Sequence, residues 1–252
     1  MNNLGARVYG LAAIVIGVTG IVWGDLAAGG MSLPKTLPDR MVVAGVASAL
    51  LIVGGVLINW RRLSQWGAAL LTIWFALDLV VLCLPALAKH LSSFGYWDAA
   101  SEPVALGAAG LIAYAMSADI GPALSARLQY AGRAAFGLCL FAFGWAHFAY
   151  LDRTVSMVPA WLPPSQMFWA WFTALAAIAA GLAFISGVQA LLAARLLTLM
   201  YVIFHIFVHL PILMAGHTIL FNWEENAVNL ALIGAAWIIA DSAAARKDAA
   251  AS

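Results

Sequence analysis

The sequence predicts an all-α integral membrane protein, with eight transmembrane helices arranged as two parallel-related four-helix bundles. Three observations carry this: a composition too apolar for water, eight apolar runs of membrane length, and a self-similarity that divides the chain in half. Of 252 residues, 65% are hydrophobic and 9% charged, with a mean hydropathy of +0.96, whereas a soluble domain carries about 25% charged residues. With a formal net charge of +1, no basic surface advertises nucleic acid. Cys83 and Cys139 sit in apolar runs without CxxC spacing, so each reads as a small core residue.

The spans are expected at Val8–Ala27, Met41–Asn59, Trp66–Ala86, Pro103–Ala118, Arg133–Tyr150, Met167–Ser186, Ala193–Leu213 and Ala227–Ala240, each able to cross much or all of about 30 Å of hydrocarbon. The first run is longer than a signal-peptide core and lacks an A-x-A site, so it is kept as a helix. Its link to the second span, Gly29–Arg40, is Gly- and Pro-rich. The corresponding link, Leu151–Gln166, contains VPAWLPP, whose prolines lack the amide hydrogen of a regular helix; Val158–Pro164 is expected as an irregular interfacial connector or lid anchored by Trp161. Pro103 suits a first helical turn, and Asn226 suits a cap on the last span. Domain boundaries follow as 1–120, a linker at 121–132, a second unit at 133–242, and a frayed tail at 243–252.

Basic residues set the orientation. With the N-terminus inside, the inner connections carry Arg7, Arg61, Arg62, Arg127, Arg133, Arg195, Arg246 and Lys247, and the outer ones Lys35, Arg40, Lys89 and Arg153. The positive-inside rule therefore places both termini in the cytoplasm. Asp25, Asp39, Asp98, Glu102, Asp152, Glu224 and Glu225 gather on the opposite face and make it electronegative.

Sliding the chain by about 126 residues aligns its halves with hardly a gap. Arg7 falls on Arg133, Pro38 on Pro164, Gly55 on Gly181, Leu84-Pro85 on Leu210-Pro211, and Trp97-Asp98 on Trp223-Glu224. An even number of spans per unit makes the symmetry axis run along the membrane normal, unlike inverted-repeat transporters. The repeat also isolates the histidines. Where the second half has His147, His205, His209 and His217, the first has Ile21, Leu79, Cys83 and Leu91. The second half is therefore the candidate working unit. Asp78, opposite Phe204, is the exception.

His205 and His209, four apart in YVIFHIFVHLP, share one helical face. At 1.5 Å per residue, His147 and His209 lie about 21 Å from the inner ends of their helices and His205 about 15 Å, and His217 could fold back over them. Neutral imidazoles can bridge helices, here to Tyr150, Tyr201 or Thr198. They can accept protons from a quinol, ligate a metal or haem, or form a proton path. The candidate site comprises His147, His209 and His205 as chemical groups, with Trp145, Tyr150, Trp161, Tyr201 and His217 lining a cofactor. No metal ligand set is assigned, although haem or metal stays open.

The runs GWAHFAYLDRTVSMVPAWLPP, FWAWFTALAAIAAGLAF, HLP and NLALIGAAW resemble the DoxX-like family of small membrane proteins. The matching residues are His147-Phe148, Val158–Pro163, Trp169–Thr173, Ala179–Ala183, His209–Pro211 and Asn229–Gly234. The first half keeps only GDLAAG at Gly24–Gly29 and Leu84-Pro85. Ala174 departs from the family's glycine, and His205 is outside its motif. The resemblance implies a four-helix unit and a quinone-linked role in a membrane redox system with a membrane or periplasmic partner. The competing expectation is a non-catalytic scaffold that docks a partner. Lipid is the remaining expected contact.

Overall fold

The computed structural model describes residues 3–26 and 33–251, and every regular element in them is helical. The helices are α1 (Leu4–Trp23), α2 (Arg40–Asn59), α3 (Ser64–Lys89), α4 (Phe94–Ser117), α5 (Pro122–Ala149), α6 (Leu151–Met157), α7 (Gln166–Ser186), α8 (Ala190–Ala215) and α9 (Leu220–Ala251). Seven are long and apolar enough to cross a membrane. The count rises to eight if α5 is taken with α6, which bends away from it by 90°, as one span. In hydrocarbon every backbone amide must bond within its own segment, which makes helices the answer for such runs. The chain is a multi-pass membrane protein.

Large apolar side chains such as Val53, Leu138, Leu182 and Leu199 face outward, while Ala44, Ala47, Ala174 and Ala177 are buried between helices. Small residues inside let backbones approach, and dispersion then supplies the attraction that lipid tails would otherwise match. α5 and α7 approach closely at Gly137 and Gly181. A Cβ on Gly181 would stand 2.7 Å from the Gly137 carbonyl oxygen.

The helices close into a ring in which α1 packs on α2, α2 on α3, α3 on α4, α4 on α5, α5 on α7, α7 on α8, α8 on α9 and α9 back on α1. α4 and α9 also touch across the middle. Among the described residues the two halves are thus not self-contained four-helix bundles. The first helix of each half docks on the fourth helix of the other as well as on the second helix of its own. Gly5 meets the backbone of Ile238, and Gly132 lies against Ala108 and Ile112.

Local features recur at the repeat offset. α3 and α8 each widen into one π-turn, at Leu79–Cys83 and His205–His209, just before Pro85 and Pro211. A proline ring collides with the carbonyl four residues back and offers it no hydrogen; an i→i+5 turn upstream relieves both problems. Trp97 Nε1 donates to the Leu91 carbonyl at 3.0 Å, and Trp223 Nε1 to that of His217 at 2.8 Å, closing the corresponding links.

Several expected boundaries change. α4 starts at Phe94, so Pro103 lies inside a helix, where packing against neighbouring helices tolerates it. α9 starts at Leu220, so Asn226 is no cap. The expected linker at 121–132 is helical from Pro122 onward and forms the first turns of α5, while the expected frayed tail continues α9 to Ala251. Polar side chains at the ends of these helices concealed their length. The first span ends at Trp23, ahead of the expected Ala27, which lies outside the described residues together with 28–32, including Gly29.

Candidate functional site

The second half brings polar groups from α5, α8 and α9 to one seam, toward the end of the helices that carries the acidic connections. His147, near the end of α5, is half-buried. Its Nδ1 lies 2.9 Å from the Phe143 carbonyl oxygen. A carbonyl only accepts, so Nδ1 carries the proton and the neutral ring presents Nε2 as an acceptor. The ring stands 6.3 Å from that of Phe204 on α8.

His205 opens the π-turn of α8 and pairs across to α9, its Nδ1 3.2 Å from Asn229 Oδ1. The Asn229 side chain is 4% exposed, so this bond satisfies a buried amide. His209 closes the same turn, half-buried and without a hydrogen bond among the described residues. One turn before His205 is Tyr201, 5% exposed. Its hydroxyl has no partner among the described residues, which is costly in a low-dielectric interior unless something else meets it.

The expected lining divides. Tyr201 belongs to the seam. Trp161 packs edge-on against Phe207 at 5.7 Å, so the proline-rich connector does lie over the π-turn of α8. Gln166 Nε2 ties that connector by donating to the Val158 carbonyl at 2.5 Å, and Trp169 Nε1 donates to Pro163 at 2.8 Å. Trp145 is exposed and packs on Phe148; two residues before His147, it lies on another helical face. Tyr150 turns toward Phe94 of α4 at 6.0 Å. His217 is exposed in the α8–α9 link. The bridges expected to Tyr150, Tyr201 or Thr198 are not formed. The imidazoles bond to Phe143 and Asn229, and Thr198 donates to its own helix at Ala194.

Sequence reasoning missed Asn229 and Phe204 as partners. Asn229 carried a signal, being an amide in an apolar run; Phe204 carried none. The described residues contain no group of three His, Cys, Asp or Glu side chains placed to hold one metal ion.

Beside this seam, α4 and α9 carry Asp98, Glu102, Glu224 and Glu225. Glu102 lies close enough to Glu225, Asp98, Glu224 and Asp78 for their charges to act on it. Arg153 of α6 reaches over the Phe221 ring at 5.2 Å, close to the same acids.

Fold and site together define a polytopic helical membrane protein with a histidine-bearing seam in its second half. The DoxX family model matches residues 128–210, a stretch that takes in most of α5, all of α6 and α7, and α8 as far as Leu210, with His147, His205 and His209 inside it. No curated protein and no solved structure matches the chain.

Proposed function

We propose that this protein is a quinone-interacting subunit of a membrane redox system, with its site at the α5–α8–α9 seam near the periplasmic face of a bacterial inner membrane. The same reading takes 1–120 and 133–242 as two copies of one four-helix unit, the second being the working copy. The observation that carries it is the unpartnered hydroxyl of Tyr201, buried one turn from His205 on a wall shared with His147 and Phe204. A quinone's carbonyl oxygens would satisfy such a donor, and aromatic neighbours suit its ring.

A quinol supplies two electrons and two protons. In this reading His147 accepts a proton at Nε2, because its Nδ1 proton is engaged by Phe143. His209 is the second acceptor, and His205 positions α8 through Asn229. Trp161 and the connector keep water from the π-turn. The electrons pass to a membrane or periplasmic partner.

Purified protein should bind a short-chain ubiquinone analogue. His147→Ala or His209→Ala should weaken that binding about tenfold, or about 1.4 kcal/mol. Equal binding by wild type and both variants defeats the proposal.

A second reading, a docking scaffold, is favoured by the acids on α4 and α9. There the histidines tolerate substitution, while Glu224→Lys with Glu225→Lys abolishes co-purification of the partner. Visible absorption and elemental analysis of the pure protein test the remaining reading, haem or metal binding.

A further inference from the structure

At the opposite end of the second half, where the basic connections lie, a cavity of about 520 Å³ opens between α5, the α7–α8 turn, α8 and α9. Arg133, Arg195, Arg246 and Lys247 all line it, and no carboxylate does. Among the described residues, the only ion pair joins Arg40 to Asp25, far along the sequence in the first half. Arg133 and Arg246 are half-buried, and Arg195 and Lys247 stand exposed at the cavity's rim; four cations around one cavity repel one another, and an anion among them relieves this.

Two of the cations, Arg246 and Arg133, are held in place without being neutralised. The Arg246 guanidinium donates through Nη1 to Gln129 Oε1 at 3.1 Å and to Ser242 Oγ at 2.8 Å. Ser242 in turn donates to Gln129 at 2.7 Å. Arg133 lies over the Tyr130 ring at 5.6 Å, and its Nε has no acceptor among the described residues. The turn beneath it needs Gly187, whose φ of +79° is the left-handed region and where a Cβ would come within 3.2 Å of Arg133 Nη2.

The first half supplies a contrast. Its corresponding cavity is about 260 Å³ and is lined by Arg7 and Arg61 together with Asp241, whose Oδ2 also accepts from the Gly5 amide at 3.4 Å. That cavity carries its own anion; the larger one does not.

We infer that the cavity between α5, α8 and α9 binds the phosphate groups of an anionic phospholipid, one with two phosphodiesters such as cardiolipin. Phosphate is the shared chemistry of a lipid headgroup and a free anion. The wall decides for lipid: Leu191 and Leu192 complete the lining, and Leu192 is 52% exposed on the flank of α8, where an acyl chain would run. Basic pockets between transmembrane helices near a membrane surface recognise such headgroups, and arginine forks match phosphate geometry.

The test uses the full chain in an uncharged detergent, titrated with cardiolipin, phosphatidylethanolamine or inorganic phosphate and read by native mass spectrometry. Cardiolipin should bind about tenfold more tightly than phosphatidylethanolamine. Arg195→Gln with Lys247→Gln should abolish that preference, and so should the single change Lys247→Glu at an exposed position. Arg7→Gln with Arg61→Gln removes the same charge elsewhere and should retain it. Retained preference in the Arg195/Lys247 variant overturns the site. Equal loss in the Arg7/Arg61 variant reduces the effect to bulk charge and also overturns it. Displacement of cardiolipin by an equal concentration of inorganic phosphate overturns the lipid assignment.

Discussion

The two halves share a layout and differ in what they place on it. Both have a π-turn followed by proline in the third span, both close the next link with a tryptophan indole, and both pin a threonine to its own helix, Thr72 to Ala68 and Thr198 to Ala194. The first half then fills its π-turn with Leu79 and Cys83 and puts buried Phe75 where the second has Tyr201. The wide turn is therefore a consequence of proline, not of histidine. The polar groups are an addition to a frame that stands without them.

The links outside the bundle are tied by different chemistry as well. In the first half Asp25 pairs with Arg40 and accepts from the Leu26 amide at 2.8 Å. In the second, Gln166 holds the connector through a neutral bond to Val158. An ion pair fixes one link, and an amide with an edge-on aromatic contact holds the other.

Substitutions at paired positions would break or sharpen this contrast. The largest effect is expected where the frame itself is touched. Gly55→Leu and Gly181→Leu each force apart two helices in backbone contact and should each cost about 3 kcal/mol, read from thermal unfolding in detergent. Unequal costs would show that the halves do not share the load. Next come the prolines. Pro211→Ala removes the cause of the second π-turn and should weaken binding of the ubiquinone analogue about tenfold, while Pro85→Ala leaves it unchanged; equal effects would detach the π-turn from the site.

A smaller effect tests the seam. In a double-mutant cycle with His205→Leu and Asn229→Leu, the coupling should be about 0.6 kcal/mol, the usual worth of a polar pair between membrane helices. Zero coupling would mean that the contact at 3.2 Å carries no energy. The smallest change is Tyr201→Phe. Without ligand it should leave stability level or raise it by under about 1 kcal/mol, since it removes an unsatisfied hydroxyl. A clear loss would reveal a protein partner for that oxygen and weaken the case for a ligand there.

The spans were legible because lipid imposes a composition that few other environments allow. Helix ends were less so: Asp98, Glu102, Glu224 and Glu225 looked like flanking acids, yet they lie inside α4 and α9. The i, i+4 histidines were visible, but a proline signals only a disturbed helix and not that an extra residue enters the turn before it. The pairing of His205 with Asn229, and the placing of Phe204 beside His147, depend on which helices are neighbours. Runs apolar on nearly every side contain no record of that choice.

The crossed closure of the ring bears on how the protein is made. α1 packs on α2 and also on α9, which leaves the ribosome far later, and α5 packs on α4. During insertion α1 therefore waits, with Gly5 and Tyr9 unsealed, until about 200 further residues have entered the bilayer. α1 is then the helix that lipid or an insertion factor must shield, and a chain stalled before α9 presents that open face to quality-control proteases. The second half waits far less, because α4 is already in place when α5 arrives.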